Sequence, residues 1–107
     1  MTRIKPKADQ IIAVCAATHG VTASQILGHR RMQPLATARQ EVMFLMRMTR
    51  GDSHPEIGRR LGGRDHSTSM HGVRQVTKRA AEDADAARLD ALTAAVHCPV
   101  LAKGVRR

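Results

Sequence analysis

The segment spanning residues 53–71 constrains the fold more than any other part of this chain. Ser53 and Glu56 have the spacing of a capping box at the start of a helix, and the Gly62-Gly63 pair ends that helix and reverses the chain. Asp65 or a neighbour then caps a second helix, which opens with the polar sequence Asp-His-Ser-Thr. This pattern predicts a helix-turn-helix, in which the second helix enters a DNA major groove by its N-terminal end. An ordinary helical hairpin is the alternative.

The rest of the chain is also predicted to be helical, because apolar residues recur with helical spacing and β-branched runs of period two do not occur. Helices are predicted over residues 8–19, after a second capping box at 22–25, from Pro34 to about Arg50, and beyond residue 81. The predicted fold class is therefore all-α. A small helical domain with the helix-turn-helix occupies residues 8–80, and a C-terminal helical extension and tail occupy residues 81–107.

The same spacing predicts which side chains form the core. The predicted core positions are Ile11, Ile12, Cys15, Ala16, Ile26, Leu27, Ala38, Val42, Leu45, Met46, Thr49, Met70, Val73, Thr77 and Ala80. The predicted outward positions are Arg39, Gln40, Arg47, His71, Arg74, Gln75 and Lys78. In the last helix, Leu89, Leu92 and Val96 form a stripe that either packs on the domain or presents a face to a partner protein.

Charge and aromatic content point to a duplex polyanion as the partner. The 107 residues contain 18 Lys and Arg against 9 Asp and Glu. Residues 1–81 hold 14 of the basic and 5 of the acidic groups, so the whole excess of nine lies there. A basic body of this kind is typical of nucleic-acid binding. Phe44 is the only aromatic residue, so the chain lacks the stacking platform that single-strand and RNA binders use.

Several other classes are excluded by the residue patterns. Cys15 and Cys98 are far apart, and neither a signal-peptide pattern nor an apolar run of membrane-spanning length occurs, so a cytoplasmic protein associated with the nucleoid is expected, with no membrane contact. His66 and His71 differ by about 140° around a helix and do not share a metal. No paired catalytic carboxylates and no phosphate-binding loop are found. We therefore expect no enzyme activity, no metal, no cofactor and no ATP.

A set of short motifs resembles a known family. Pro55-Glu-Ile-Gly58, the run from Gly62 to Thr68, and His71 are similar to the signature of the C-terminal DNA-binding domain, domain IV, of the bacterial chromosomal replication initiator DnaA. Ala38-Arg39-Gln40 and the basic pair Arg30-Arg31 resemble further elements of that family. The likeness runs from about Asp9 to Arg79. It implies a Trp-repressor-like helical fold.

The resemblance also implies roles for individual residues. Asp65, His66 and Ser67 match the positions that contact base edges in the major groove, although the family usually has Thr where this chain has Ser67. Arg31 matches an arginine that reaches the minor groove, with a phosphate contact as the alternative. Residues matching positions that bind the DNA backbone are Arg39, Gln40, Arg47, Thr68 and His71. Arg64 either joins them or stabilises the turn.

The function implied is sequence-specific binding of double-stranded DNA at DnaA-box-like sites, including replication origins. Such a protein would modulate replication initiation or nearby transcription without ATPase activity. An alternative is an interaction module that contacts the replication initiator or its regulators through the C-terminal helix. A third interpretation is a fragment of a full-length initiator, against which the roughly 28 residues after the matched region argue.

Overall fold

The computed structural model describes residues 6–30, 33–81 and 86–96, which form six α-helices and no strand. The helices are α1 (Ala8–His19), α2 (Ala23–Leu27), α3 (Leu35–Leu45), α4 (His54–Arg60), α5 (His66–Ala81) and α6 (Ala86–Val96). A π-helical turn, Met46–Arg50, continues α3. The all-α prediction is confirmed, and the long helix predicted to end near Arg50 is present as α3 and its π-helical extension.

Local capping sets several helix ends. Gly20 ends α1 with a φ of 68°, a left-handed conformation that favours glycine. Thr22 and Gln25 form the predicted reciprocal box: Gln25 N donates to Thr22 Oγ1 at 3.0 Å, and Thr22 N donates to Gln25 Oε1 at 2.9 Å. At α4, Ser53 Oγ accepts from Glu56 N at 3.3 Å. The Glu56 carboxylate pairs with Arg59 and Arg60, and only the Ser53 half of that capping box is seen.

The core is centred on α3, which packs against α1 on one side and α5 on the other. Its buried positions include Ala38, Val42 and Leu45, as predicted. Cys15 is also buried; burial, with the nearby Glu41 carboxylate, raises the pKa of its thiol far above the ordinary value. Cys98 lies outside the described residues.

One charged residue within this core was not foreseen. Glu41 is fully buried, and its Oε1 lies 2.7 Å from His19 Nε2 at the end of α1. The His19 side chain is itself only 10% exposed. The pair therefore joins α1 to α3 inside the protein, where a buried carboxylate needs polar partners.

The predicted buried face of α5 was partly wrong. Met70 is 40% exposed and Thr77 is exposed, whereas Ser69, Gly72 and Val76 are buried. The reason is a close approach between α3 and α5, which requires the smallest side chains of α5 to face α3. A Cβ atom on Gly72 would lie 2.5 Å from Met43 Sδ, so the buried stripe is centred on small residues and the larger Met70 turns outward.

Two further core predictions need correction. Leu27 is 37% exposed, because α2 is a single short helix that buries only Ile26. Thr49 is partly buried, and its hydroxyl donates to Leu45 O at 2.6 Å within the π-helical turn.

The C-terminal helix packs on the domain. Leu89 and Leu92 are 5% and 3% exposed, and α6 contacts both α1 and α5. Of the two interpretations of the leucine stripe, packing is the one observed for these two residues; the Val96 side chain is outside the described set. No helix in the described ranges is both long enough and apolar enough to span a membrane.

The turn of the helix-turn-helix depends on glycine at α4 as well as at the turn itself. Gly62 and Gly63 have φ values of 81° and 79°. Arg64 N donates to Gly58 O at 2.7 Å, and a Cβ atom on Gly58 would lie 2.1 Å from Arg64 O. The backbone after the turn therefore lies directly against α4, and this contact sets the angle at which α5 leaves.

Candidate nucleic-acid interface

The N-terminal end of α5 carries three exposed polar side chains. Thr68 N donates to Asp65 O at 3.1 Å, so Asp65 precedes the first turn of the helix. The Asp65 and His66 side chains are 68% and 58% exposed, and Ser67 is also exposed. These are the three residues predicted to contact base edges, and the structure places them together at one helix end.

The three side chains already contact one another. The Ser67 hydroxyl donates to Asp65 Oδ2, and His66 Nδ1 lies 3.5 Å from Asp65 Oδ1. The bond from Ser67 is the main cause that lowers the pKa of Asp65, with smaller contributions from His66 and nearby backbone N–H groups. Asp65 is therefore ionised at neutral pH and acts as a hydrogen-bond acceptor. This arrangement restricts the rotamers of all three groups before any ligand is present.

A groove of about 630 Å³ lies beside this end of α5, between α5 and α3. Its polar lining residues are His29, Arg39, Gln40, Arg64, Thr68 and His71. Five of the six are sequence-predicted site residues. His29 was missed, although it directly precedes the basic pair, and that position is the one signal that could have identified it.

Gln40, Thr68 and His71 form the accessible part of this groove on α3 and α5, and His29 is also exposed. Thr68 and His71 are exposed on α5. Gln40 is partly exposed on α3, and its Oε1 accepts a hydrogen bond from Arg79 Nη1 at 3.2 Å, which fixes the orientation of the amide. Together they present hydroxyl, amide and imidazole groups that can donate hydrogen bonds, and hydroxyl and amide side chains commonly bind DNA phosphates.

Arg39 was predicted to face outward, and that prediction is wrong. The residue is only 6% exposed. Its Nε donates to Ile26 O and its Nη2 to Gln25 O, both at 2.8 Å, and its Nη1 donates to Arg30 O. Burial, and then the nearby charge of Arg64, lower the pKa of its guanidinium from the ordinary value. All three nitrogens are thus bound to backbone carbonyls between α2 and the start of α3.

Arg64 has a similar structural position. It donates from Nη1 to Leu61 O within the turn and from Nη2 to Gly28 O after α2. A Cβ atom on Gly62 would lie 2.5 Å from Leu27 O, so the turn lies directly against the end of α2. Of the two roles considered for Arg64, these bonds support stabilisation of the turn. Burial lowers its pKa.

A second group of side chains lies on the other flank of α5, towards α4. His54 Nδ1 lies 3.0 Å from Ser69 Oγ, so the two helices of the motif are joined by a hydrogen bond. Burial, followed by the charges of Arg47 and His66, lowers the pKa of His54. Arg47 is exposed, and its Nη1 donates to Asp52 O at 3.0 Å. Arg47 does not line the groove, and its charge acts on His54, which lies on the α4 side of α5.

The loop that carries the basic pair Arg30-Arg31 is only partly described. Arg30 is exposed, and its carbonyl is held by Arg39. Arg31 lies outside the described residues, and its minor-groove contact stays a prediction. Among the described residues, no group of three or more His, Cys, Asp or Glu side chains is arranged to hold a metal ion.

A short helix and a longer helix joined by a glycine turn, with exposed polar residues at the start of the second helix, define a helix-turn-helix DNA-binding domain. Comparison with known families identifies the branch of this class. The family described as the bacterial DnaA protein helix-turn-helix matches residues 8–76, more than half of the chain. This chain belongs to that family.

The similar proteins are replication initiators much longer than this chain. The chromosomal replication initiator protein DnaA of Cereibacter sphaeroides is 39% identical over 79 residues, which are 74% of this chain and 17% of that protein. DnaA of Caulobacter vibrioides is 40% identical over 75 residues, covering 70% of this chain and 15% of the relative. DnaA of a Ruegeria species is 47% identical over 58 residues, 54% of this chain and 12% of the relative. The chain thus spans less than a fifth of the length of these relatives.

Proposed function

We propose that this protein binds double-stranded DNA sequence-specifically at DnaA-box-like sites, with the N-terminal end of α5 in the major groove. The observation that carries the proposal is the exposed cluster of Asp65, His66 and Ser67 at that helix end. An ionised carboxylate can accept from the cytosine amino group, and an imidazole can pair with a purine edge or with thymine O4. The contacts within the cluster support a role in recognising base edges, because side chains that are already restricted lose less conformational entropy when DNA binds.

Backbone contacts would come from both flanks of α5. Gln40, Thr68 and His71 line the groove on one side, and Arg47 lies exposed on the other. Contacts on both flanks would fix the position of α5 in the major groove. Such bonds to the DNA backbone orient the protein but do not recognise sequence. Arg31 would approach the adjacent minor groove and favour A·T-rich sequence. Arg39 and Arg64 are omitted from this set, because their guanidinium groups bind carbonyls of the protein.

The cellular role that follows from this binding is regulation through occupation of DNA sites. The sequence contains no Gly-x-x-x-x-Gly-Lys-Ser/Thr loop, so the proposed protein would occupy initiator sites and modulate replication initiation or nearby transcription without hydrolysing ATP. In this proposal the protein acts only by binding DNA. If no DNA binding is found, the alternative is that it contacts the initiator or its regulators.

The experiment is a titration of each variant against a duplex containing an initiator box and a scrambled duplex of equal length. Asp65→Ala or His66→Ala should weaken binding to the box by about 1–3 kcal/mol, the usual contribution of a base contact. Binding to the scrambled duplex should not weaken, because that binding depends on phosphates.

Asp90→Ala is a matched control for Asp65→Ala. Asp90 is exposed on α6, and both substitutions raise the net charge by one. The control should bind both duplexes as tightly as the wild type or slightly more tightly. A wild type that binds box and scrambled duplexes equally would refute the proposed function and favour a protein-interaction role.

A further inference from the structure

Met70 stands out on the surface of α5 because it is the large apolar residue of an otherwise polar face. Ser67, His71, Arg74 and Lys78 are all exposed on the same side of the helix. Ser67, Met70, His71 and Arg74 follow i, i+3, i+4, i+7 spacing, which aligns side chains along one helix face. Met70 is 40% exposed at the centre of this stripe.

The position of Met70 relative to the base-reading cluster suggests what it contacts. It lies three residues after Ser67, and Cβ atoms at this spacing are about 5–6 Å apart. The surrounding hydroxyl, imidazole and basic groups fit a polyanion better than an apolar protein surface. If α5 enters the major groove as proposed above, Met70 enters it one turn behind Ser67. The apolar group exposed in that groove is the C5-methyl of thymine.

We propose that Met70 is a specificity-determining residue that recognises a thymine methyl group in the bound DNA. The proposal rests on the proposed function and adds an apolar contact to its polar readout. Methionine suits this role because its unbranched, polarizable side chain adapts to an irregular apolar surface. It would also compensate for Ser67, which has a hydroxyl but no methyl group to contact thymine.

The test replaces single thymines by deoxyuridine in a duplex that carries the site footprinted by this protein. This change removes one methyl group and keeps every hydrogen-bonding group. Wild-type affinity should fall about three- to fourfold at one thymine, as expected for loss of one buried methyl group. Met70→Gln should bind the unmodified site three- to fourfold more weakly and lose its response to that substitution, whereas Met70→Leu should retain both.

Met48→Gln is the matched control, because Met48 is a second exposed methionine, 60% exposed, that lies outside α5. It should bind as the wild type does and keep the deoxyuridine response. Glutamine has a helix propensity close to that of methionine, so Met70→Gln should stay folded, which circular dichroism verifies.

Two failures are distinguishable. If the wild type shows no preference for its footprinted site over scrambled DNA, the proposed function fails and the Met70 contact fails with it. If the wild type prefers its site but no thymine responds to deoxyuridine, or Met70→Gln responds as the wild type does, only the Met70 proposal is overturned.

Discussion

At the residue scale, His54 joins the two helices of the helix-turn-helix. It is half-buried, and its Nδ1 lies 3.0 Å from Ser69 Oγ. When Nδ1 carries no proton, the Ser69 hydroxyl donates to it. Because Ser69 is fully buried on α5, the bond satisfies a hydroxyl that would otherwise lose its hydrogen-bond partner on folding.

This geometry predicts an acid-sensitive contribution to stability. The pKa of His54 in the folded protein is below the ordinary 6.5, mainly because of burial. The unfolded chain therefore binds more protons at this site as pH falls, and the free energy of unfolding decreases below about pH 6.5. His54→Gln removes the titrating group. Urea unfolding at about pH 7.5 and about pH 5.5 should show a larger acid-induced loss in the wild type than in His54→Gln; equal losses would contradict the prediction.

The buried pair of His19 and Glu41 gives a second residue-scale prediction. Glu41→Gln keeps the size of the side chain and removes the charge, so the free energy of unfolding should fall by about 1–3 kcal/mol, the contribution of a hydrogen bond to a charged group. Glu56→Gln is the control, because Glu56 pairs with Arg59 and Arg60 near the surface, where a pair contributes under about 1 kcal/mol. Denaturant unfolding compares the two, and equal effects would assign no special role to the buried pair.

Single residues also show where sequence reasoning was sufficient. The first helix, predicted over residues 8–19, and the capping box at residues 22–25 were predicted correctly, because both depend on residues that are close in the sequence. Arg39 and Glu41 were not predicted correctly, since Arg39 bonds a carbonyl 13 residues away and Glu41 bonds a side chain 22 residues away. An arginine or glutamate on a helix is predicted to face solvent unless such distant partners are known.

At the scale of elements, two arginines join α2 and the residues after it to α3 and to the helix-turn-helix. Arg39 of α3 donates to three carbonyls between Gln25 and Arg30, and Arg64 of the turn donates to Gly28 O. The backbone that leads into the basic loop is thus fixed relative to α5. We infer that both arginines position DNA-binding elements without contacting DNA themselves.

Salt dependence separates this positioning role from a phosphate contact. Arg39→Gln removes the charge and cannot replace three directed bonds. It should weaken box binding while leaving the slope of log affinity against log salt unchanged, because Arg39 binds carbonyls of the protein. Arg47→Ala should lower that slope by about one, as expected for one lost phosphate contact. Titrations over a salt series, at a temperature where both variants are folded, make the comparison. A slope lowered by about one for Arg39→Gln would mean that Arg39 binds phosphate after all.

The packing of the helices also explains why the buried face of α5 was predicted incorrectly. Periodicity identified the helix, but its spacing assigned Met70 and Thr77 to the core. The structure places Gly72 against Met43 and buries Ser69 instead. The short distance between α3 and α5 therefore decides which face of α5 is buried. That distance cannot be read from the sizes of the residues in one sequence.

The distribution of charge matters at the scale of the whole molecule. Before α4, Asp52 pairs with Arg50 at 2.8 Å, and within α4 Glu56 pairs with Arg60 at 3.1 Å and with Arg59. These pairs reduce the positive field around α4. Arg74 and Lys78 are exposed on α5, the helix that also carries the proposed base contacts. Part of the excess charge predicted from the sequence therefore lies on α5.

The measurable consequence is a strong salt dependence of duplex binding. The exposed basic side chains of Arg30, Arg47, Arg74 and Lys78, together with Arg31, would neutralise about five phosphates, for which counterion release gives a log–log slope of roughly −4 to −5. The slope should be similar for box and scrambled duplexes, because the difference between them comes from base contacts. Fluorescence anisotropy over a range of salt concentrations measures it. A flat response would show that the surface around α5 does not bind the DNA backbone, even if the fold is that of a helix-turn-helix.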